Sequence, residues 1–97
     1  MRIISRKALR TYWEEHPQSE EVLNDWYRKV LRTHAKSFVE LRETFPSADL
    51  FGDCLVFNVG GNNYRVIVHA DFKLQIVWVR AVLSHAEYDK NKWKDDC

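Results

Sequence analysis

The chain lacks any apolar run near the 18 or so residues that a membrane-spanning helix needs, so no helical span is expected. Its opening, Met1-Arg2-Ile3-Ile4-Ser5-Arg6, turns charged at once and has no apolar core of a secretion signal, which implies a cytoplasmic protein. Cysteine is scarce. Cys54 and Cys97 form no CxxC pair and sit in no secretory context, so both read as reduced thiols. His16, His34, His69 and His85 include no i,i+4 pair and have no cysteine partners, so neither a metal site nor a cofactor is expected. An excess of one charge is also missing. Fifteen basic against 14 acidic residues leave a net +1, which does not mark a nucleic-acid binder. Any RNA site has to come from a local cluster of cations. Repeats, low-complexity segments and linkers are absent.

What is present is the material of one globular domain over residues 1–97. The chain is 45% hydrophobic and 13% aromatic, and its length suits a single core. Arg2 to Ile4 reads as a short strand. Ser5 can cap a helix to about His16, with Ala8, Leu9, Tyr12 and Trp13 on one face, and Pro17 stops it. A second helix begins at Ser19 and carries Val22, Leu23, Trp26, Tyr27, Val30 and Leu31 at helical spacing, with a charged opposite face. Ser37 and Glu40 make a capping box for a third short helix through Phe38, Leu41 and Phe45, closed by Pro46. After about Gly52 the period becomes two, and Gly60-Gly61-Asn62-Asn63 reads as a hairpin loop because glycine and asparagine tolerate positive φ. Strands follow from about Tyr64 to Ala70 and from Gln75 to Leu83. The expected fold is α+β: a short N-terminal strand and helices packed on a C-terminal antiparallel three-stranded meander with a short helical tail.

Parity proposes a register. Pairing Val59 with Tyr64 sets Phe57 opposite Val66 and Leu55 opposite Val68, an apolar face for the helices. A second turn centred between Phe72 and Lys73 sets Val68 opposite Val77 and Val66 opposite Val79. The other face then carries Asn58, Arg65, His69, Trp78 and Arg80, with Arg65 directly across from Arg80. Like charges at paired positions are unfavourable in a sheet and invite an anion such as phosphate. Solvation of both arginines, or pairing with Glu87 or Asp89, reads the pattern equally well. Ser84 and Glu87 form another capping box, which puts His85 and Tyr88 on one side of a helical turn; Glu87 is read as a cap.

Taken together, Met1 to Arg10, Phe45-Pro46-Ser47-Ala48-Asp49, Phe57-Asn58-Val59-Gly60-Gly61-Asn62, Tyr64-Arg65, Val79-Arg80 and His85-Ala86-Glu87-Tyr88-Asp89-Lys90 resemble the HigB branch of the RelE toxins over nearly the whole chain. The resemblance implies a RelE-like fold, ribosome-dependent cleavage of messenger RNA, and a HigA-type helix-turn-helix antitoxin through which any contact with DNA is indirect. It carries the family's polar positions onto Lys36, Asn58, Arg65, Arg80, His85, Tyr88 and Lys90. His69 stands where relatives commonly have lysine or arginine, His34-Ala35 replaces a more usual tryptophan before Lys36, and Ser84 replaces threonine.

The chemistry so implied is metal-free transesterification, in which the 2′-OH attacks the adjacent phosphorus and the 5′-oxygen leaves. Arg65 and Arg80 would hold the phosphate, His85 and Tyr88 would move protons, and Lys36, Asn58 and Lys90 would contact RNA. Two other functions fit a basic face on this fold: a ParE-like poison that binds gyrase without catalysis, and a regulator that binds RNA.

Overall fold

Why the chain folds as it does begins with its helices, and the computed structural model describes all residues from 1 to 97. Strand β1 (Arg2–Ile4) leads into α1 (Arg6–Glu15), a 3-10 turn at Pro17–Ser19 turns the chain, and α2 (Glu20–Arg32) and α3 (Phe38–Thr44) follow. The apolar spacing buries Leu9 and Trp13 on α1 and Leu23, Trp26 and Val30 on α2. Helix α2 has Glu20 and Glu21 in its first turn and Lys29 and Arg32 in its last, each sign matching the helix dipole. The Met1 amino group donates to the carbonyls of Val30, Leu31 and Thr33 and so satisfies the end of α2. Ser5 stands at the N-cap of α1 without a side-chain bond, whereas the Ser37 hydroxyl accepts from the Glu40 N–H. Glu40 reaches back to the Lys36 N–H rather than to Ser37, so only half of the expected box forms.

The second half of the chain is β2 (Asp49–Phe51), β3 (Cys54–Val59), β4 (Tyr64–Asp71) and β5 (Ile76–Ser84), then α4 (His85–Asp89) and a 3-10 tail at Lys92–Asp96. The α+β class is as expected, but the meander is part of a five-stranded mixed sheet ordered β1-β5-β4-β3-β2. Strand β1 runs parallel to β5 at one edge, and β2, which periodicity did not indicate, pairs antiparallel with β3 at the other. Helices α1, α2 and α3 cover one face. There Phe57, 1% exposed, meets the rings of Trp26 and Phe45 edge-on at 5.3 and 5.0 Å between centroids.

The first hairpin keeps the expected register, Val59 to Tyr64, Phe57 to Val66 and Leu55 to Val68, with Gly60 and Gly61 both at positive φ in its loop. The second does not. Val68 pairs with Val79 instead of Val77, and Val66 with Val82 instead of Val79. The turn sits one residue further along than parity suggested, centred between Lys73 and Leu74: Asp71 pairs with Ile76, its carboxylate accepts from the Leu74 N–H, and Gln75 takes a φ of 59°. The slide is by two residues, so Val77 and Val79 keep the expected face. A bulge then intervenes, because Ile67 pairs with Ala81 while Val68 pairs with Val79. Arg80 is the extra residue of that bulge, and Arg65 lies across from Leu83, not from Arg80.

The bulge also turns Ala81 and Leu83 to the second face of the sheet. That face is not an open polar surface: Cys54, Val56 and Ile67 are buried there beneath Trp93 of the tail. A disulfide joins Cys54 to Cys97, which corrects the expectation of two free thiols. Spacing in sequence gave no sign of it, since 43 positions separate the two, and the folded tail brings their Cα atoms to 5.3 Å. Gly52 accommodates the same docking: its φ is +55°, and a Cβ there would run into the Cys97 carbonyl oxygen. No helix is long and apolar enough to cross a membrane.

Candidate functional site

The β3–β4 hairpin loop, the end of β5 and helix α4 converge on Arg65. Its side chain is 6% exposed, an unusual burial for arginine, and it is matched by acceptors. Nη1 donates to the carbonyls of Asn62 at 3.2 Å and Tyr64 at 3.0 Å; Nη2 donates to Asn62 Oδ1 at 2.6 Å and lies 3.3 Å from His85 Nδ1. Those bonds occupy all four terminal N–H groups of the guanidinium and leave only the Nε–H uncommitted. The guanidinium carbon also sits 4.9 Å above the centre of the Tyr88 ring. Arg65 is therefore a hub that fixes two other candidate groups more than a free fork offered to an anion.

Helix α4 starts on the expected capping box: Ser84 Oγ accepts from the Glu87 N–H, and the Glu87 carboxylate accepts from the Ser84 N–H. That backbone N–H bond is the main reason the Glu87 carboxyl is held below its usual range, with the Ser84 hydroxyl, His16 and Lys90 helping and partial burial opposing. Glu87 thus caps, as its spacing from Ser84 implied. The His85 N–H donates to the Asn63 carbonyl, which ties α4 to the hairpin loop. His85 Nδ1 faces an arginine N–H and so accepts; Nε2 then carries the proton and lies 3.2 Å from Asp89 Oδ2.

The tail closes the site on its far side. Trp93 stacks on Tyr88 at 5.0 Å and 11°, and its Nε1 donates to the Tyr88 carbonyl at 3.0 Å. Beyond it, Asp96 takes Arg80 in a two-pronged ion pair, Nε to Oδ2 at 2.7 Å and Nη2 to Oδ1 at 2.8 Å. The pair holds the Asp96 carboxyl below its usual value, through the hydrogen bond first and then the Arg80 charge, with desolvation opposing, and it raises that of Arg80.

Of the residues singled out from sequence, Arg65 touches both His85 and Tyr88, and Lys90 caps the end of α4. Asn58 lies opposite Arg65 in the register, exposed. Arg80 is displaced by the bulge and engaged by Asp96. Lys36 lies at the other end of β4, in a cleft with Phe72, Lys73 and Gln75, roughly 20 Å from Arg65 at the usual strand rise. His69 pairs across from Trp78 and its Nε2 is buried without a partner. Asn62, Trp93 and Asp96 were missed. Only Asn62 had a visible signal, as a loop residue next to a paired arginine; the other two act through a tail whose path the sequence does not reveal.

Comparison with known proteins supplies the family. The profile of the HigB toxins, described as the RelE-like toxic component of a toxin-antitoxin system, matches residues 19–91. The mRNA interferase toxin HigB of Escherichia coli (strain K12) is 36% identical over 92 residues, covering 92% of this chain and 88% of that protein. The mRNA interferase HigB of Shigella flexneri shows the same figures, 36% identity with 92% and 88% covered. That of Escherichia coli O6:H1 is 34% identical over 93 residues, with 93% and 90% covered. The match runs through the hairpin, the Arg65 hub and the capped His85–Tyr88 turn, and the chain belongs to the HigB toxin family.

Proposed function

We propose that this protein is the toxin of a toxin–antitoxin pair, an endoribonuclease that cuts messenger RNA on the translating ribosome in the cytoplasm and is neutralised by a HigA-type helix-turn-helix antitoxin. The observation that carries the reading is the Arg65–His85–Tyr88 cluster in a chain more than one-third identical to proteins named mRNA interferase. In the reaction the 2′-OH attacks the adjacent phosphorus and the 5′-oxygen departs. With its Nδ1 lone pair committed to Arg65, His85 offers Nε2–H, suited to donating toward the leaving oxygen. Tyr88, against the Arg65 cation and two residues before Lys90, lies in the same cluster, and its phenolate would take the 2′ proton. Arg65 supplies a fixed positive field for the phosphorane, Asn58 and Lys90 border the RNA path, and Arg80 and Lys36 contact RNA away from the reacting phosphate.

Positioned acid–base groups contribute about 10² to 10⁴ in rate, so orientation of the message has to contribute the rest. A net charge of +1 suits a protein that meets RNA already held by the ribosome rather than one that grips free RNA.

The test maps 5′ ends of a reporter message in a translating extract, beside a reporter that lacks a start codon. Cuts inside the reading frame of the translated message alone, lost with Arg65→Ala and strongly reduced with Tyr88→Phe, are expected. Cuts in both messages would remove the ribosome from the reading. Growth arrest by a folded protein that cuts neither would replace it with a binding poison.

A further inference from the structure

We propose that Trp93 is a positioning residue for Tyr88, an inference that rests on the reading above that Tyr88 takes part in the cleavage. Helix α4 has five residues and buries none of its side chains. So short a helix has little stability of its own, and the place of Tyr88 has to be imposed from outside. Two groups impose it. The Arg65 guanidinium lies 4.9 Å over the Tyr88 ring, and the Trp93 indole stacks on that ring at 5.0 Å, nearly parallel at 11°. Both groups contact the phenol ring, and the Trp93 Nε1 bond to the Tyr88 carbonyl fixes the backbone as well.

Trp93 is itself well anchored. It is 8% exposed, seated on Cys54, Val56 and Ile67, with Phe51 edge-on at 5.2 Å. A left-handed Asn91, φ +62°, bends the chain back from α4 so that the indole can reach the ring. Below it the Arg80–Asp96 pair and the Cys54–Cys97 bond hold the remainder of the tail to the sheet. The indole has no reason to approach a reacting phosphate; its effect runs through Tyr88. A misplacement of about 1 Å in a reacting group can cost on the order of 100-fold in rate.

The experiment compares Trp93→Leu, Trp93→Phe and Tyr88→Phe in the full chain. Cleavage of the translated message gives a maximal rate and a half-saturating protein concentration. Proton NMR reads the Tyr88 ring resonances, which the stacked indole displaces upfield, and thermal unfolding is recorded alongside. Trp93→Leu is expected to lose the upfield displacement and to cut about 10- to 100-fold more slowly at saturation, with half-saturation changed by less than about 3-fold. Trp93→Phe keeps an aromatic stack and should restore most of the rate although it loses the Nε1 bond. Unimpaired cleavage by Trp93→Leu, beside an inactive Tyr88→Phe, would overturn the positioning role and leave the site reading intact. Rates in Trp93→Leu and Trp93→Phe that follow only their stabilities would overturn it too. A fully active Tyr88→Phe would bring down the site reading and the positioning role with it.

Discussion

Arg65→Lys is the most informative single change, because it preserves charge and removes the shape of the hub. The guanidinium spreads four bonds over two terminal nitrogens: Nη1 to two backbone carbonyls, Nη2 to Asn62 Oδ1 and His85 Nδ1. One ammonium can meet either set, not both. Two contacts are lost, and at about 1 to 1.5 kcal/mol net for each, the cost is about 2 to 3 kcal/mol. At about 4 to 8 °C per kcal/mol for a domain of this size, the melting temperature should fall by about 8 to 24 °C. If the ammonium keeps the carbonyls, His85 loses its Nδ1 partner and Tyr88 its planar cation. The same energy expressed in the transition state slows cleavage by about 30- to 150-fold. Single-turnover cleavage of the translated message, measured below the onset of unfolding, reads the rate; calorimetry reads the stability. A destabilised variant that cuts at the parent rate would refute the idea that the hub orients the chemistry. A variant of unchanged stability would refute the bonding pattern itself.

Three further outcomes are expected. Reduction of Cys54–Cys97, or Cys97→Ser, opens a loop of 43 positions and should cost up to about 4 kcal/mol by loop-closure entropy; a melting temperature insensitive to dithiothreitol would count against the tether. Glu87, whose carboxyl is held below its usual value chiefly by the Ser84 N–H, contributes stability that is fully present above the ordinary carboxylate range and fades as pH falls through its folded value. Amide-exchange protection of α4 should therefore decline below about pH 4.5 in the parent and much less in Glu87→Gln, and equal acid sensitivity in both would assign the effect elsewhere. Gly52→Ala places a methyl group against the Cys97 carbonyl at a positive φ, so faster exchange in residues 92–97 and a loss of at least about 1 kcal/mol are expected, with urea unfolding as the check.

Much of the candidate cluster is legible in the order of residues alone. Local rules carry it: Gly60 and Gly61 give the tight loop, period two gives the first register, and Ser84 with Glu87 gives the turn that presents His85 and Tyr88. Each rests on interactions within a few residues. The second hairpin shows where such rules stop. A slide of two residues carries Arg80 away from Arg65 yet leaves Val77 and Val79 on their expected face, so the hydrophobic pattern cannot report it, and the bulge at Arg80 has no mark in composition. Strand β2 escapes the pattern because it is three residues long and leaves Leu50 and Phe51 exposed, too short for periodicity to register.

The order of residues alone establishes the α+β class, the buried stripes of the helices, the Ser84–Glu87 box and the family, all properties of short-range pattern or of likeness along the chain. Tertiary structure decided the partners. It turned Arg65 inward as a hub and set Asp96 on Arg80. It also stacked Trp93 on Tyr88 and joined two cysteines 43 positions apart. The reason is one of range: the energies that place the tail come from an apolar patch of Cys54, Val56 and Ile67 on the second face of the sheet, and that patch exists only once the strands that carry it have paired.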